Sequence, residues 1–424
     1  MPERVSQLVT AVVAGLLATA CASHPAAGDN LAADNLPAEQ DFGLIDRGRY
    51  LTTVADCVAC HTDPDSNALF AGGRPIETPF GKVVSANITP DLETGIGSWT
   101  DAQFDAAVRQ GRDNQGARLY PAMPFPYYAR MTAEDVHAIR AYLKTIPPVH
   151  HPVKSNQLPF PFDIRAAMAL WDALYFEPGT FKPDPKKPAQ WNRGAYLVLG
   201  PGHCGACHTP KNVLGADRKQ QALQGYNVQG WFAPNITDDL ARGLGRWSVA
   251  DVITYLKNGH NRFVGASGPM AEEIANSSSR MSATDLEAIA VYLKDQPGAT
   301  VSTRALAASD PQMVAGAAIY RDLCSACHAQ DGSGVDYLVP NIALASSVSS
   351  TEPTSLLRVV IHGAETVATQ KEPTAPAMPA FGWQLTDAQI AAVTTFVRNS
   401  WGHAAPALSA SDVHKMRPLG SEGG

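Results

Sequence analysis

Apolar residues recur every three or four positions in several separate stretches of this chain, and that spacing predicts an amphipathic helix in each. Three of the stretches, Thr132 to Lys144, Ser282 to Lys294 and Thr386 to Arg398, begin alike. A hydroxyl residue is followed three places later by Asp135, Asp285 or Gln389, the spacing of a capping box with Asp standing in for Glu in the first two. Val136, Ile139, Ala141 and Leu143 then form an apolar stripe that predicts a buried face. Immediately before the caps stand Met131, Met281 and Leu385, five places ahead of Val136, Leu286 and Ile390, which predicts a hydrophobic staple at each start.

The same order of features surrounds each of these helices. Helical lead-ins occur as Asp46-Arg47-Gly48-Arg49-Tyr50-Leu51, Asn192-Arg193-Gly194-Ala195-Tyr196-Leu197 and Ala315-Gly316-Ala317-Ala318-Ile319-Tyr320. The first two copies continue through Asn87-Ile88-Thr89 and Asn235-Ile236-Thr237 to Gly95-Ile96-Gly97-Ser98-Trp99-Thr100 and Gly243-Leu244-Gly245-Arg246-Trp247-Ser248. The third is shorter and keeps only Pro340-Asn341-Ile342. Self-similarity of this kind predicts three units, over residues 42–149, 189–297 and 311–402, and a chain of 424 residues is long enough for about three domains.

Between the first two units, residues 150–188 form a proline-rich linker with an apolar centre from Ile164 to Phe176. It reads as packing over the junction, with an amphipathic helix on a membrane surface as the alternative. The second linker, residues 298–310, is short, and the tail, residues 403–424, has no strong pattern and reads as a flexible or partner-wrapping end. At the start, the apolar run Leu8 to Ala20 behind Arg4 is too short to span a bilayer and fits a secretory signal over residues 1–22, which predicts export. Cys21 has two readings. Leu17-Ala18-Thr19-Ala20-Cys21 resembles a lipoprotein box, which would lipidate Cys21, whereas Ala20-Cys21-Ala22 offers a cleavage site that would discard it.

Only 17% of residues are charged and the net charge is −7, so no basic stripe exists to track phosphates and nucleic-acid binding is excluded. The other six cysteines carry the chemistry. They form Cys57-Val-Ala-Cys60-His61, Cys204-Gly-Ala-Cys207-His208 and Cys324-Ser-Ala-Cys327-His328, each the Cys-x-x-Cys-His attachment signature for c-type haem. On one helical turn two thiols three places apart share a face and the adjacent imidazole reaches the iron. Zinc needs four ligands from paired motifs, and a redox dithiol has no use for three adjacent histidines. The expectation is three covalently bound haem c groups, with His61, His208 and His328 as axial ligands.

A thioether further along each unit is the natural second axial ligand. Met123 competes with Met131, and Met270 with Met281. His61 to Met123 and His208 to Met270 are both 62 positions, whereas the rivals lie 70 and 73 positions away and already have a use as staples. Met378 lies 50 positions after His328 and is followed by Pro379, as Met123 is followed by Pro124. Met123, Met270 and Met378 are therefore the expected ligands. His137, His260 and His362 do not repeat in register and read as surface or supporting residues.

Leu119-Tyr120-Pro121-Ala122-Met123-Pro124, the run Gly200 to Pro210 around the second motif, Gly243 to Ser248, Ser400-Trp401-Gly402 and Ser411-Asp412-Val413 to Lys415 carry a wider likeness. Over nearly the whole mature chain the sequence resembles the three-haem cytochrome c subunits of membrane-bound periplasmic dehydrogenases, the group that includes quinohaemoprotein alcohol dehydrogenase and gluconate 2-dehydrogenase. The resemblance implies a mainly α fold of three tandem class I cytochrome c domains and an electron-transfer subunit without catalytic residues of its own. It implies partners as well: a periplasmic catalytic subunit oxidising an alcohol, aldehyde or sugar, a small third subunit, and ubiquinone at the periplasmic face of the cytoplasmic membrane. Leu158 to Phe162 is a candidate apolar quinone surface, with plain linker packing as the simpler reading. The alternatives are a self-contained multihaem enzyme of peroxidase or thiosulfate dehydrogenase type, and a free shuttle to a terminal oxidase.

Overall fold

The computed structural model describes residues 42–66, 68–298 and 304–420, so the predicted leader and Cys21 lie outside the described residues. The fold is helix-rich. Among the described residues the strands form three two-stranded antiparallel hairpins, of which the longest pairs Pro75–Thr78 with Gly81–Val84.

One arrangement recurs three times: an opening helix crosses a closing helix. The pairs are Phe42–Val54 with Ala133–Leu143, Ala189–Leu199 with Ala283–Lys294, and Pro311–Ile319 with Asp387–Val397. Each crossing depends on a glycine in the opening helix. A Cβ on Gly48 would stand 1.8 Å from the Ala138 carbonyl oxygen, on Gly194 1.9 Å from that of Ala288, and on Gly316 2.2 Å from that of Ala392. No other residue lets the backbones approach so closely, which explains glycine inside a helix where it disfavours helix formation by about 1 kcal/mol.

The closing helices begin at the expected caps, where the hydroxyls of Thr132, Ser282 and Thr386 accept the N–H of Asp135, Asp285 and Gln389. The staples form too. Met131, Met281 and Leu385 are buried in the same clusters as Val136, Leu286 and Ile390. Only Thr386 completes the reciprocal box, however, because the buried carboxylates of Asp135 and Asp285 turn to other partners. Arg47 donates from Nε to Asp135 at 2.8 Å, and Arg193 grips Asp285 with two bonds of 2.8 Å. Each carboxylate takes one more bond, from the tyrosine of the other lobe: Tyr50 donates to Asp285 and Tyr196 to Asp135. The first two lobes thus meet through a reciprocal contact in which Arg, Gly and Tyr of one short motif each have a separate task.

The third lobe has Ala315, Ala318 and Gln389 at the corresponding places and joins the second differently. The Ser355 hydroxyl accepts the Phe232 N–H at 2.8 Å and donates to the Phe232 carbonyl at 3.1 Å, while the Asn341 N–H donates to the Arg262 carbonyl. The tail belongs to this lobe. Its helix Ala410–Met416 packs on Asp387–Val397 and buries Val413 and Met416. At seven residues it is too short to give a periodic signal.

Candidate functional site

Each Cys-x-x-Cys-His motif forms a short helical turn directly after an opening helix, at Cys57–Cys60, Gly205–His208 and Ser325–His328. The His61 backbone N–H donates to the Cys57 carbonyl at 3.0 Å and that of His208 to the Cys204 carbonyl at 2.9 Å, which closes each turn. All six cysteines are free. Burial pushes the Cys57, Cys60 and Cys204 thiols up to about 12 and Cys324 up to about 11. These four are therefore neutral thiols, unlike the depressed thiolates of a redox dithiol or a metal clip.

The histidines are oriented by one repeated device. Nδ1 of His61 lies 2.7 Å from the Ala86 carbonyl, that of His208 2.6 Å from Pro234, and that of His328 3.4 Å from Pro340. A carbonyl only accepts, so Nδ1 carries the hydrogen and Nε2 keeps its lone pair. No partner for any of these Nε2 atoms exists among the described residues. Burial lowers all three imidazoles from their ordinary value, against the opposing pull of the carbonyl, so they are neutral and in the form a metal binds.

Each acceptor carbonyl stands just before an asparagine, and the loop that presents it is fastened. Thr89 donates its N–H at 2.9 Å and its hydroxyl at 2.8 Å to Asn87 Oδ1, and Thr237 does the same to Asn235 at 2.8 and 2.7 Å. The third loop lacks the threonine. There His403 donates from Nε2 to the Ile342 carbonyl at 2.8 Å and accepts the Ser349 hydroxyl at Nδ1. His403 escaped the sequence reading because it belongs to no motif and works only across 61 positions of chain.

The methionines are placed less uniformly. Met123 lies in a turn and, like Cys57 and Val58, packs against the first core. Met270 is the second residue of the helix Pro269–Asn276, and Met378 ends a strand whose partner is Ala364. All three are half-buried, whereas Met131 and Met281 are sunk in the cores as staples. Of the histidines set aside, His137 is exposed toward Asp101, and His362 donates to the Met416 carbonyl at 3.2 Å. His260 is buried beside Tyr337, with Nδ1 unpartnered among the described residues.

The first two motifs are neighbours. Arg74 donates to the Ala59 carbonyl inside the first motif and bonds the Glu272 carboxylate on the helix that starts with Pro269 and Met270. Ser277, next after that helix, donates to the Val54 carbonyl at 3.2 Å. The Cys60 thiol is raised by burial and by Asp56, and Cys207 adds to the effect across the lobe boundary.

Covalent haem fits these residues. Besides the thiols and the open Nε2 atoms, Trp247 Nε1, Asn258 Oδ1 and Asn341 Oδ1 are buried polar atoms without partners among the described residues. Such orphans are rare, and an indole N–H buried this way suits a haem carboxylate.

A helix-rich fold that offers two neutral thiols and a carbonyl-oriented imidazole on one turn defines a c-type cytochrome, and the cytochrome c family profile matches residues 313–401. The alcohol dehydrogenase (quinone) cytochrome c subunit of Gluconacetobacter polyoxogenes is 38% identical over 403 residues, covering 90% of this chain and 86% of that protein. The gluconate 2-dehydrogenase cytochrome c subunit of Pantoea cypripedii is 39% identical over 396 residues, covering 88% and 89%. The fructose dehydrogenase cytochrome subunit of Gluconobacter japonicus is 37% identical over 429 residues, covering 93% and 88%. The chain belongs to this family of dehydrogenase cytochrome c subunits.

Proposed function

We propose that the protein is a three-haem electron-transfer subunit, built as three tandem class I cytochrome c domains, that accepts electrons from a periplasmic dehydrogenase catalytic subunit and passes them to ubiquinone. The observation that carries this reading is the recurrence, in all three motifs, of an imidazole with Nδ1 bound to a loop carbonyl and Nε2 left open. Haem supplies the one-electron chemistry when bound. The chain's part is attachment and environment. Cys57 and Cys60, Cys204 and Cys207, and Cys324 and Cys327 would tether the groups, and His61, His208 and His328 would each offer an open Nε2 to the iron. Met123, Met270 and Met378 would supply the second ligands, which would leave no position for a small-molecule substrate and would assign the oxidation of alcohol, aldehyde or sugar to another polypeptide.

In this reading the leader, residues 1–22, exports the chain, which works at the periplasmic face of the cytoplasmic membrane, with Cys21 either acylated or removed. The names of the relatives support a catalytic partner, and their kind of dehydrogenase supports a quinone as the eventual acceptor. The test is a pyridine haemochrome titration of the mature protein, expected to give three haems per chain, joined to reduction by a purified catalytic subunit and reoxidation by a short-chain ubiquinone. Fewer than three haems, or turnover of peroxide or thiosulfate by the chain alone, overturns it.

A further inference from the structure

The linker helix Met168–Tyr175 has its polarity reversed. Its carboxylate, Asp172, is buried against Arg118, while Leu170 and Leu174 are 67% and 59% exposed. The segment leading into it repeats the pattern, with Phe160 79% exposed and Phe162 and Ile164 also facing out. The second lobe adds Val213, 87% exposed at the tip of a turn. These residues form one surface. Trp171 donates its indole N–H to the Leu214 carbonyl at 2.9 Å, the Phe80 and Phe162 ring centroids are 5.0 Å apart, and Gly215 abuts the Phe80 ring. An apolar face of this extent, running from the first lobe across the linker to the second, marks a place that something covers.

We propose that this face docks the chain on an anionic phospholipid bilayer, with Phe160 and Val213 entering the acyl boundary and Leu170 and Leu174 lying along it. The proposal rests on the membrane-side location given above and names the surface responsible. The occupant is argued from polarity and charge. Several backbone N–H groups in the protruding turns are satisfied within the turns, which lowers the cost of a hydrocarbon neighbour. The Phe162 N–H donates to Pro159 at 2.8 Å, Ala167 to Ile164 at 2.9 Å, Gly215 to Asn212 at 3.0 Å, and Leu214 to the Asn212 side chain at 2.9 Å. The chain as a whole carries 33 Lys and Arg against 40 Asp and Glu, yet once the ion pairs of Arg165, Lys187, Arg193, Lys211 and Lys219 are set aside, residues 150–220 still present Lys154, Lys182, Lys186 and Arg218 at the surface against Asp163 and Asp184. That local reversal complements acidic headgroups. Among the described residues no helix is long and apolar enough to cross a membrane, so contact by such a face is the form of attachment they offer.

The experiment is flotation of the full, haem-loaded chain with vesicles of phosphatidylglycerol and phosphatidylethanolamine, using Cys21→Ser throughout so that no acyl chain contributes. The parent is expected to float, less with phosphatidylcholine alone. Phe160→Ser and the pair Leu170→Ser with Leu174→Ser are each expected to weaken binding by about tenfold or more, with haem spectrum and thermal midpoint unchanged because these side chains are already exposed. If the parent floats and the variants float equally, the assignment of this face is wrong while the membrane-side location stands. A parent that never floats removes both. If the variants keep vesicle binding but lose co-purification with the catalytic subunit, the face is a protein interface and the proposal is overturned.

Discussion

Tyr50 donates its hydroxyl to the Asp285 carboxylate at 2.6 Å, across the boundary between the first and second lobes. Tyr196 returns the contact to Asp135, so two copies of one motif clasp each other. Hydrogen bonds to buried charged groups contribute about 1.5–3 kcal/mol. Tyr50→Phe and Tyr196→Phe should therefore each lower the urea midpoint measurably. Combining them with Asp285→Asn and Asp135→Asn in double-mutant cycles should reveal coupling within each pair and near-additivity between pairs. Additive effects within a pair would mean the bond contributes nothing.

Acid should loosen the same boundary. Burial alone would raise the Asp285 carboxyl, but its bonds from Arg193 and Tyr50 prevail and hold it below its ordinary value of 3.8. A depressed carboxylate contributes stability above its unfolded pKa and loses it as pH falls through the folded one. Stability should then fall with acid below about pH 4, and Asp285→Asn should flatten that slope while lowering stability at neutral pH. Urea midpoints measured across this range check both signs.

At the helix crossings a single methyl group should be felt. Gly48→Ala, Gly194→Ala and Gly316→Ala each place a carbon inside van der Waals reach of a facing carbonyl and should cost about 1–3 kcal/mol. Thermal melts followed by circular dichroism test this; an unchanged midpoint would show that the helices part without penalty.

On the proposed ligation, Met123→Ala, Met270→Ala and Met378→Ala should each convert one haem to high spin and lower its potential, as read by absorption and redox titration. Met131→Leu should leave every spectrum intact and cost less than about 1.5 kcal/mol, because that side chain only packs against Val136 and its neighbours. A lost six-coordinate signal in Met131→Leu would reverse the assignment.

His403 anchors the loop that carries the acceptor of His328. On the proposed three-haem reading, His403→Phe should weaken the bond at His328 Nδ1, reduce the basicity of that imidazole and raise one potential while leaving the other two. Equal shifts in all three would point to global loosening instead.

Local signals carried well from sequence to structure. The Cys-x-x-Cys-His turns, the caps at Thr132, Ser282 and Thr386, and the staples at Met131, Met281 and Leu385 each depend on residues a few places apart. What was hidden needed a partner from far along the chain. Asp135 and Asp285 have the spacing of a capping box, yet tertiary bonds from Arg47, Arg193 and two tyrosines outcompete the local N–H. The glycine of each lead-in is explained only by a facing carbonyl far along the chain, that of Ala138, Ala288 or Ala392. For the stretch Ile164 to Phe176, apolar content was evident, but periodicity does not say which face looks inward, and Asp172 proved to be the buried one.

The integration of the tail has a practical side. Cutting the polypeptide after Gly402 would strip away the imidazole that ties down Ile342 and uncover the groove filled by Val413 and Met416. Purification handles or electrode tethers therefore belong beyond Gly420, and a trimmed version stopping where the repeat ends would deliver a third lobe with its latch removed.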